Sequence, residues 1–142
     1  MSKRVSVSVC QRRLAVIWFV GSGLILLLML AQTLAGKYGG QVQAAWSWFF
    51  PTVLPTLSLI LGAVVSEKQG AQAKATVDLF SFRISCVLSV VYVVFVFATL
   101  ALQPFTNMTP LTLMNVANLW LGPIQGLVGI ALGALFVSRQ TS

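Results

Sequence analysis

The chain has 142 residues, 58% of them hydrophobic and only 8% charged, with nine Lys or Arg against two acids and a net charge of +7. Soluble domains carry about 25% charged residues, so this composition excludes a water-soluble globular fold and makes lipid the solvent for most of the chain. The absence of His removes histidine zinc sites, histidine haem ligation and the Ser-His-Asp triad.

Residues 1–13 form a basic arm carrying Lys3, Arg4, Arg12 and Arg13. Val5, Val7 and Val9 alternate with Ser6 and Ser8, a strand-like pattern. No partner strand is evident, so the arm is expected to be lipid-associated or poorly ordered. The first apolar stretch, residues 14–34, is longer than the 7–15-residue apolar core of a signal peptide and reads as a retained span. Trp18 and Phe19 fit an interfacial aromatic belt, and Gly21-Ser22-Gly23 marks a close approach of another helix. A turn region at residues 36–40 contains Lys37. Residues 41–50 are expected to lie along the interface, with Trp46, Trp48, Phe49 and Phe50 as anchors in preference to a ligand-binding aromatic site.

The second span, residues 48–65, contains Pro51, read at the helix entry where proline is tolerated, and Pro55 one turn later. Pro55 should loosen its turn, leaving backbone groups that the Thr52 or Thr56 hydroxyls are placed to serve. The loop at residues 66–81 holds Lys68, Lys74 and both acids, Glu67 and Asp78. It reads as a solvated connector, with docking of a cytoplasmic protein as the alternative. Lys74 and Asp78 are spaced i, i+4 for a pair if the segment is helical. In the third span, residues 82–102, Ser81, Ser85 and Ser89 share one helix face, as expected of a close contact with a cross-helix hydrogen bond. Residues 103–117 read as an uncharged outer loop.

The fourth span, residues 118–137, has the sharpest pattern. Gly122, Gly126, Gly129 and Gly133 fall at offsets 0, 4, 7 and 11, so all four share one face and form two GxxxG seams. They are expected to pack on another helix, either of this chain or of a second copy. Gln125 lies beside the seam and is expected either to hydrogen-bond a neighbouring helix or to line an oligomeric pore. Pro123 is placed in the first turn.

The basic residues fall before the first span, between the second and third, and at Arg139 after the fourth. Lys37 alone lies between the first two spans, and none lies between the last two. That distribution follows the positive-inside rule. It predicts an all-α integral membrane protein of four transmembrane helices in two antiparallel hairpins, forming one membrane domain over residues 1–142, with both termini cytoplasmic, in a bacterial inner membrane. Arg12, Arg13, Lys68, Lys74 and Arg83 are expected to anchor it to anionic inner-leaflet lipid, at about 1 kcal/mol each. Nucleic acid is not an expected partner, because the cations are divided among segments flanking apolar spans. Cys10 and Cys86 lie toward that reducing compartment, so no structural disulfide is expected.

Two acids in one loop do not build a paired-carboxylate site, and no P-loop or dinucleotide fingerprint is present. The chain therefore reads as non-enzymatic, with no cofactor and no metal. In span number and size alone it is similar to small bacterial membrane proteins that act by oligomerising, such as holins and membrane effectors of anti-phage systems. That resemblance implies a homo-oligomeric pore-forming or membrane-perturbing protein working with a cytoplasmic partner. The alternatives are an accessory subunit of a larger membrane complex and a small neutral-solute transporter.

Overall fold

The computed structural model describes residues 3–67 and 76–137, with side chains for 3–65 and 76–135. In chain order the elements are β1 (Arg4–Ser6), α1 (Val7–Leu34), a 3-10 turn (Gly39–Gln41), α2 (Val42–Glu67), β2 (Thr76–Asp78), α3 (Leu79–Ala101), a second 3-10 turn (Gln103–Phe105) and α4 (Pro110–Val137). The four α-helices are 28, 26, 23 and 28 residues long. At about 1.5 Å per residue each exceeds the roughly 30 Å of a bilayer core. All four are long and apolar enough to cross a membrane, as expected of a multi-pass membrane protein.

α1 packs on α2 and α3, and α4 packs on α3 and α2, so the helices run α1-α2-α4-α3 around the bundle. The bundle is two hairpins side by side. β1 and β2 pair antiparallel, with Arg4 opposite Asp78, Val5 opposite Val77 and Ser6 opposite Thr76. The pairing fastens the start of α1 to the start of α3; we call this the strand end and the opposite one the turn end.

Several expectations are corrected here. The basic arm does have a partner strand, supplied by residues 76–78. The alternating pattern is a strand only through Ser6, because Val7 and Val9 already belong to α1. A two-stranded ribbon is marginal by itself; this one rests on the bundle through the partly buried Val5 and Val77. Asp78 lies in β2 opposite Arg4 rather than on a helix with Lys74, and Lys68 and Lys74 are outside the described residues. Residues 42–50 continue α2 instead of lying apart from it, and residues 110–117 are the opening turns of α4. As a result Pro51 and Pro123 are both in the body of a helix rather than in its first turn.

The core is built from large side chains on all four helices, among them Leu14, Trp18 and Met29 of α1, Trp48 and Ile60 of α2, Tyr92 and Val96 of α3, and Leu121 and Leu132 of α4. Trp18 is not in an interfacial belt: it is 1% exposed and its ring centre lies 5.6 Å from that of Tyr92. Trp48 and Phe49 are buried too, whereas Phe19 and Phe50 face outward. At Gly21 α1 packs tightly on α3, since a Cβ there would lie 2.5 Å from Val93 Cγ1. Around that crossing the buried Trp18 Nε1, Ser22 Oγ and Ser89 Oγ have no hydrogen-bond partner among the described residues. Ser85 donates to its own helix at the Ser81 carbonyl, 3.0 Å away, so the serine face of α3 gives close packing without the expected cross-helix bond.

At the turn end α1 stops in a Schellman motif. Gly36 takes φ +73°, its N–H bonds the Thr33 carbonyl, and the Lys37 N–H bonds the Gln32 carbonyl. The Gln32 side chain then donates from Nε2 to the Leu100 carbonyl at 3.1 Å, serving one of the acceptors that the end of α3 leaves unpaired. Tyr38 donates to Gln32 Oε1 at 2.5 Å and fixes that amide. Burial pushes the Tyr38 hydroxyl up to about 12, so it remains a proton donor. Trp46 Nε1 donates to Thr33 Oγ1 at 3.2 Å and ties α2 to the same corner.

The crossing at Gly21 makes a direct prediction. Val93 is β-branched and stiff, so Gly21→Ala should lower stability by about 1–3 kcal/mol through overpacking. Gly23 has nothing within 4 Å of its Cβ position, so Gly23→Ala should be neutral or slightly stabilising. Thermal unfolding in mild detergent compares the two.

Candidate functional site

The expected site residues lie mostly on α4, and their placement follows from a break in α2. A proline has no N–H. Pro55 therefore leaves the carbonyl of Pro51, one turn earlier, without its helical donor. In a bilayer core no water is present to replace it, and an unsatisfied backbone group there costs several kcal/mol. The Gln125 side chain fills the gap: Nε2 donates to the Pro51 carbonyl at 3.2 Å and lies 3.5 Å from the Thr52 carbonyl. From α3, across the bundle, Tyr92 donates its hydroxyl to the Thr52 carbonyl at 2.7 Å. The Thr52 hydroxyl turns back to the Trp48 carbonyl at 2.6 Å. One loosened turn of α2 thus collects side chains from both helices of the second hairpin.

The sequence places Gln125 as either an interhelical partner or a pore-lining group, and the geometry is that of the first. The expected help from Thr52 or Thr56 at the freed carbonyl comes instead from Gln125. Tyr92 carries no sequence signal of its own. The cue was the proline: a carbonyl deprived of its donor inside a span needs a polar side chain from another helix. A second such tie, Trp48 Nε1 to Asn118 Oδ1 at 2.9 Å, joins α2 and α4 one turn nearer the turn end.

The glycine face points away from this network. Met114, Ala117, Leu121, Val128, Leu132 and Leu135 form the buried stripe of α4. At about 100° per residue, the glycines lie roughly 120° around the helix from that stripe, with Gln125 on the border between them. Gly122, Gly126 and Gly129 are exposed and Gly133 is half-buried. None of the four has an atom of the described chain within 4 Å of its Cβ position. Of the two packing partners expected for the seam, another helix of this chain is therefore not the one used. Leu119 and Ile130, on the side of the glycines away from Gln125, are 76% and 72% exposed, so the outward surface of α4 is apolar.

Among the basic residues, Arg12 and Arg13 of α1 and Arg83 of α3 come together at the strand end, around one groove between the two helices. Cys10 is buried and Cys86 half-buried, and neither forms a disulfide.

A double-mutant cycle tests the proline–glutamine tie. Gln125→Leu alone should lower stability by about 0.6–1.7 kcal/mol, the range for interhelical hydrogen bonds in membranes. With Pro55→Ala present, position 55 regains an N–H for the Pro51 carbonyl, and the same Gln125→Leu change should cost less than half as much. Equal costs in the two backgrounds, read by unfolding in detergent, would show that Gln125 does not serve that carbonyl. No family model, no curated protein and no solved structure matches this chain.

Proposed function

We propose that this chain is a bacterial inner-membrane protein with both termini in the cytoplasm. In this reading it assembles as a homo-oligomer through the glycine face of α4 and acts on the bilayer as a pore-forming or membrane-perturbing effector. The observation that carries this reading is the open seam. Four glycines on one face are costly to keep in a helix, by about 0.5–1 kcal/mol each relative to Ala, and no helix of the same chain packs on them. In lipid, small-residue faces are where helix backbones approach most closely. The orientation is supported by the basic residues, all of which except Lys37 fall on one side of the four spans. Residues 66–81 are then the cytoplasmic surface on which a regulatory protein would dock.

One feature favours a second reading. Gln125, the polar side chain nearest the seam, is engaged with α2 and is not displayed for a conducting path. An accessory subunit would use the same glycine face to dock a different membrane protein and would be inert when expressed alone.

Gly126→Leu separates these outcomes, because the open space at position 126 lets the single-chain fold accept the larger side chain. The effector reading predicts that induced expression of the parent depolarises bacteria within minutes, read with a potential-sensitive dye, and that Gly126→Leu at equal membrane level abolishes both depolarisation and chemically cross-linked oligomers. Depolarisation that survives in the variant contradicts it. An unchanged potential with the parent contradicts an effector active by itself and leaves a subunit that needs its partners or an effector that needs its cytoplasmic trigger.

A further inference from the structure

The groove between α1 and α3 at the strand end has a volume of about 890 Å3. Its two halves differ in chemistry. At the mouth stand Arg12, Arg13 and Arg83, all exposed. None of them makes an ion pair or hydrogen bond with another described residue. Asp78, the one acid whose side chain is described, sits on β2 opposite Arg4. One turn deeper along each helix stand Val16 and Val87, which are 62% and 61% exposed, while the buried Phe82 lies beside Arg83. Along the helix axes the arginines stand nearer the strand end and Val16 and Val87 nearer the middle of the bundle, with Leu79 and Phe82 adding apolar surface at the level of the arginines.

We propose that this groove binds one anionic phospholipid, with its phosphate held by the three arginines and an acyl chain lying along Val16 and Val87. The matching order of charge and apolar surface is the argument for that occupant. Arginine presents a planar fork of donors suited to phosphate oxygens, and basic pockets between membrane helices on the cytoplasmic side are recognised lipid headgroup sites. A soluble phosphate would use the mouth and leave the apolar half wet. An acidic peptide would leave it wet as well. The lipid uses both halves. The inference rests on the orientation proposed above, which puts the strand end at the inner leaflet, and it sharpens general electrostatic adhesion into a single defined site.

The test uses the full chain, delipidated in mild detergent and titrated with phosphatidylglycerol, phosphatidylcholine or glycerol 3-phosphate while native mass spectrometry counts what stays bound. The proposal predicts one retained phosphatidylglycerol, held at least tenfold more tightly than phosphatidylcholine. At about fivefold per charge, the combined Arg12→Gln, Arg13→Gln and Arg83→Gln variant should lose on the order of 100-fold in affinity. Val87→Trp, which obstructs the apolar half and leaves the charge unchanged, should lose at least tenfold. Lys3→Gln with Arg4→Gln, at the same end but outside the groove, should change affinity by less than twofold. Losses proportional to charge wherever it is removed, or an unaffected Val87→Trp variant, would overturn the site in favour of diffuse attraction. Glycerol 3-phosphate bound as tightly as the lipid would overturn the lipid in favour of a phosphate site. Binding in detergent is read without reference to orientation or assembly. The orientation itself is checked by labelling a Lys3→Cys variant from either side of the membrane, so the two failures are distinguishable.

Discussion

The middle of this bundle is organised around the hydrogen missing at Pro55. Pro55 removes the donor that the Pro51 carbonyl would use inside α2, and a membrane interior offers no water as a substitute. The bundle must supply a donor from elsewhere, and it does so with Gln125 of α4. Tyr92 of α3 adds a bond to the adjacent Thr52 carbonyl. Apolar contacts in lipid discriminate weakly between packings, because acyl chains are about as apolar as leucine. Directional hydrogen bonds to a particular carbonyl do discriminate. They fix the rotation of α4 and the diagonal reach of α3 in a way that the surrounding leucines and valines do not.

That rotation has a consequence for the outer surface. With Gln125 held toward α2, the buried stripe from Met114 to Leu135 faces the other helices and the glycines face out. The two ends are fastened differently. The strand end is closed by the β1–β2 pairing, which aligns the starts of α1 and α3 and leaves Arg12, Arg13 and Arg83 around a single groove. At the turn end, Tyr38 and Gln32 carry a hydrogen-bonded chain from the first connection to the last turn of α3. The middle of the bundle therefore holds one polar tie at the proline and close packing at Gly21, and both surfaces proposed to meet partners lie outside it.

The four spans were legible in the sequence because continuous apolar runs of this length leave little choice, and their hairpin order follows from the connections. What lay inside and what lay outside was much less legible. In a soluble helix polarity marks the outer face; here the outward Leu119 and Ile130 are as apolar as the inward Leu121 and Leu132. Trp18 illustrates the difficulty, since its position near a span end suits an interfacial belt, yet its ring packs at a tilt against Tyr92 in the core. The glycine spacing established a face without saying where it pointed. The β1–β2 ribbon was half visible, as an alternating Val/Ser run with no evident mate, because its partner at residues 76–78 is remote in sequence and too short to carry a signal of its own. Pro55 was legible as a loosened turn with freed backbone groups, but the donor was expected in the same helix at Thr52 or Thr56, whereas Gln125 of α4, among the few neutral polar residues in the spans, supplies it.

The central claim is that α4 turns its glycine face outward to meet a second copy of the same helix. The direct measurement is disulfide cross-linking in native membranes, in a chain whose Cys10 and Cys86 are replaced by alanine, with single cysteines introduced by Gly126→Cys, Leu121→Cys or Val94→Cys. The account predicts a covalent dimer through position 126, none through the buried position 121, and none through position 94 on the outer face of α3. Cross-linking at 94 without cross-linking at 126, or at 121 as readily as at 126, would contradict it.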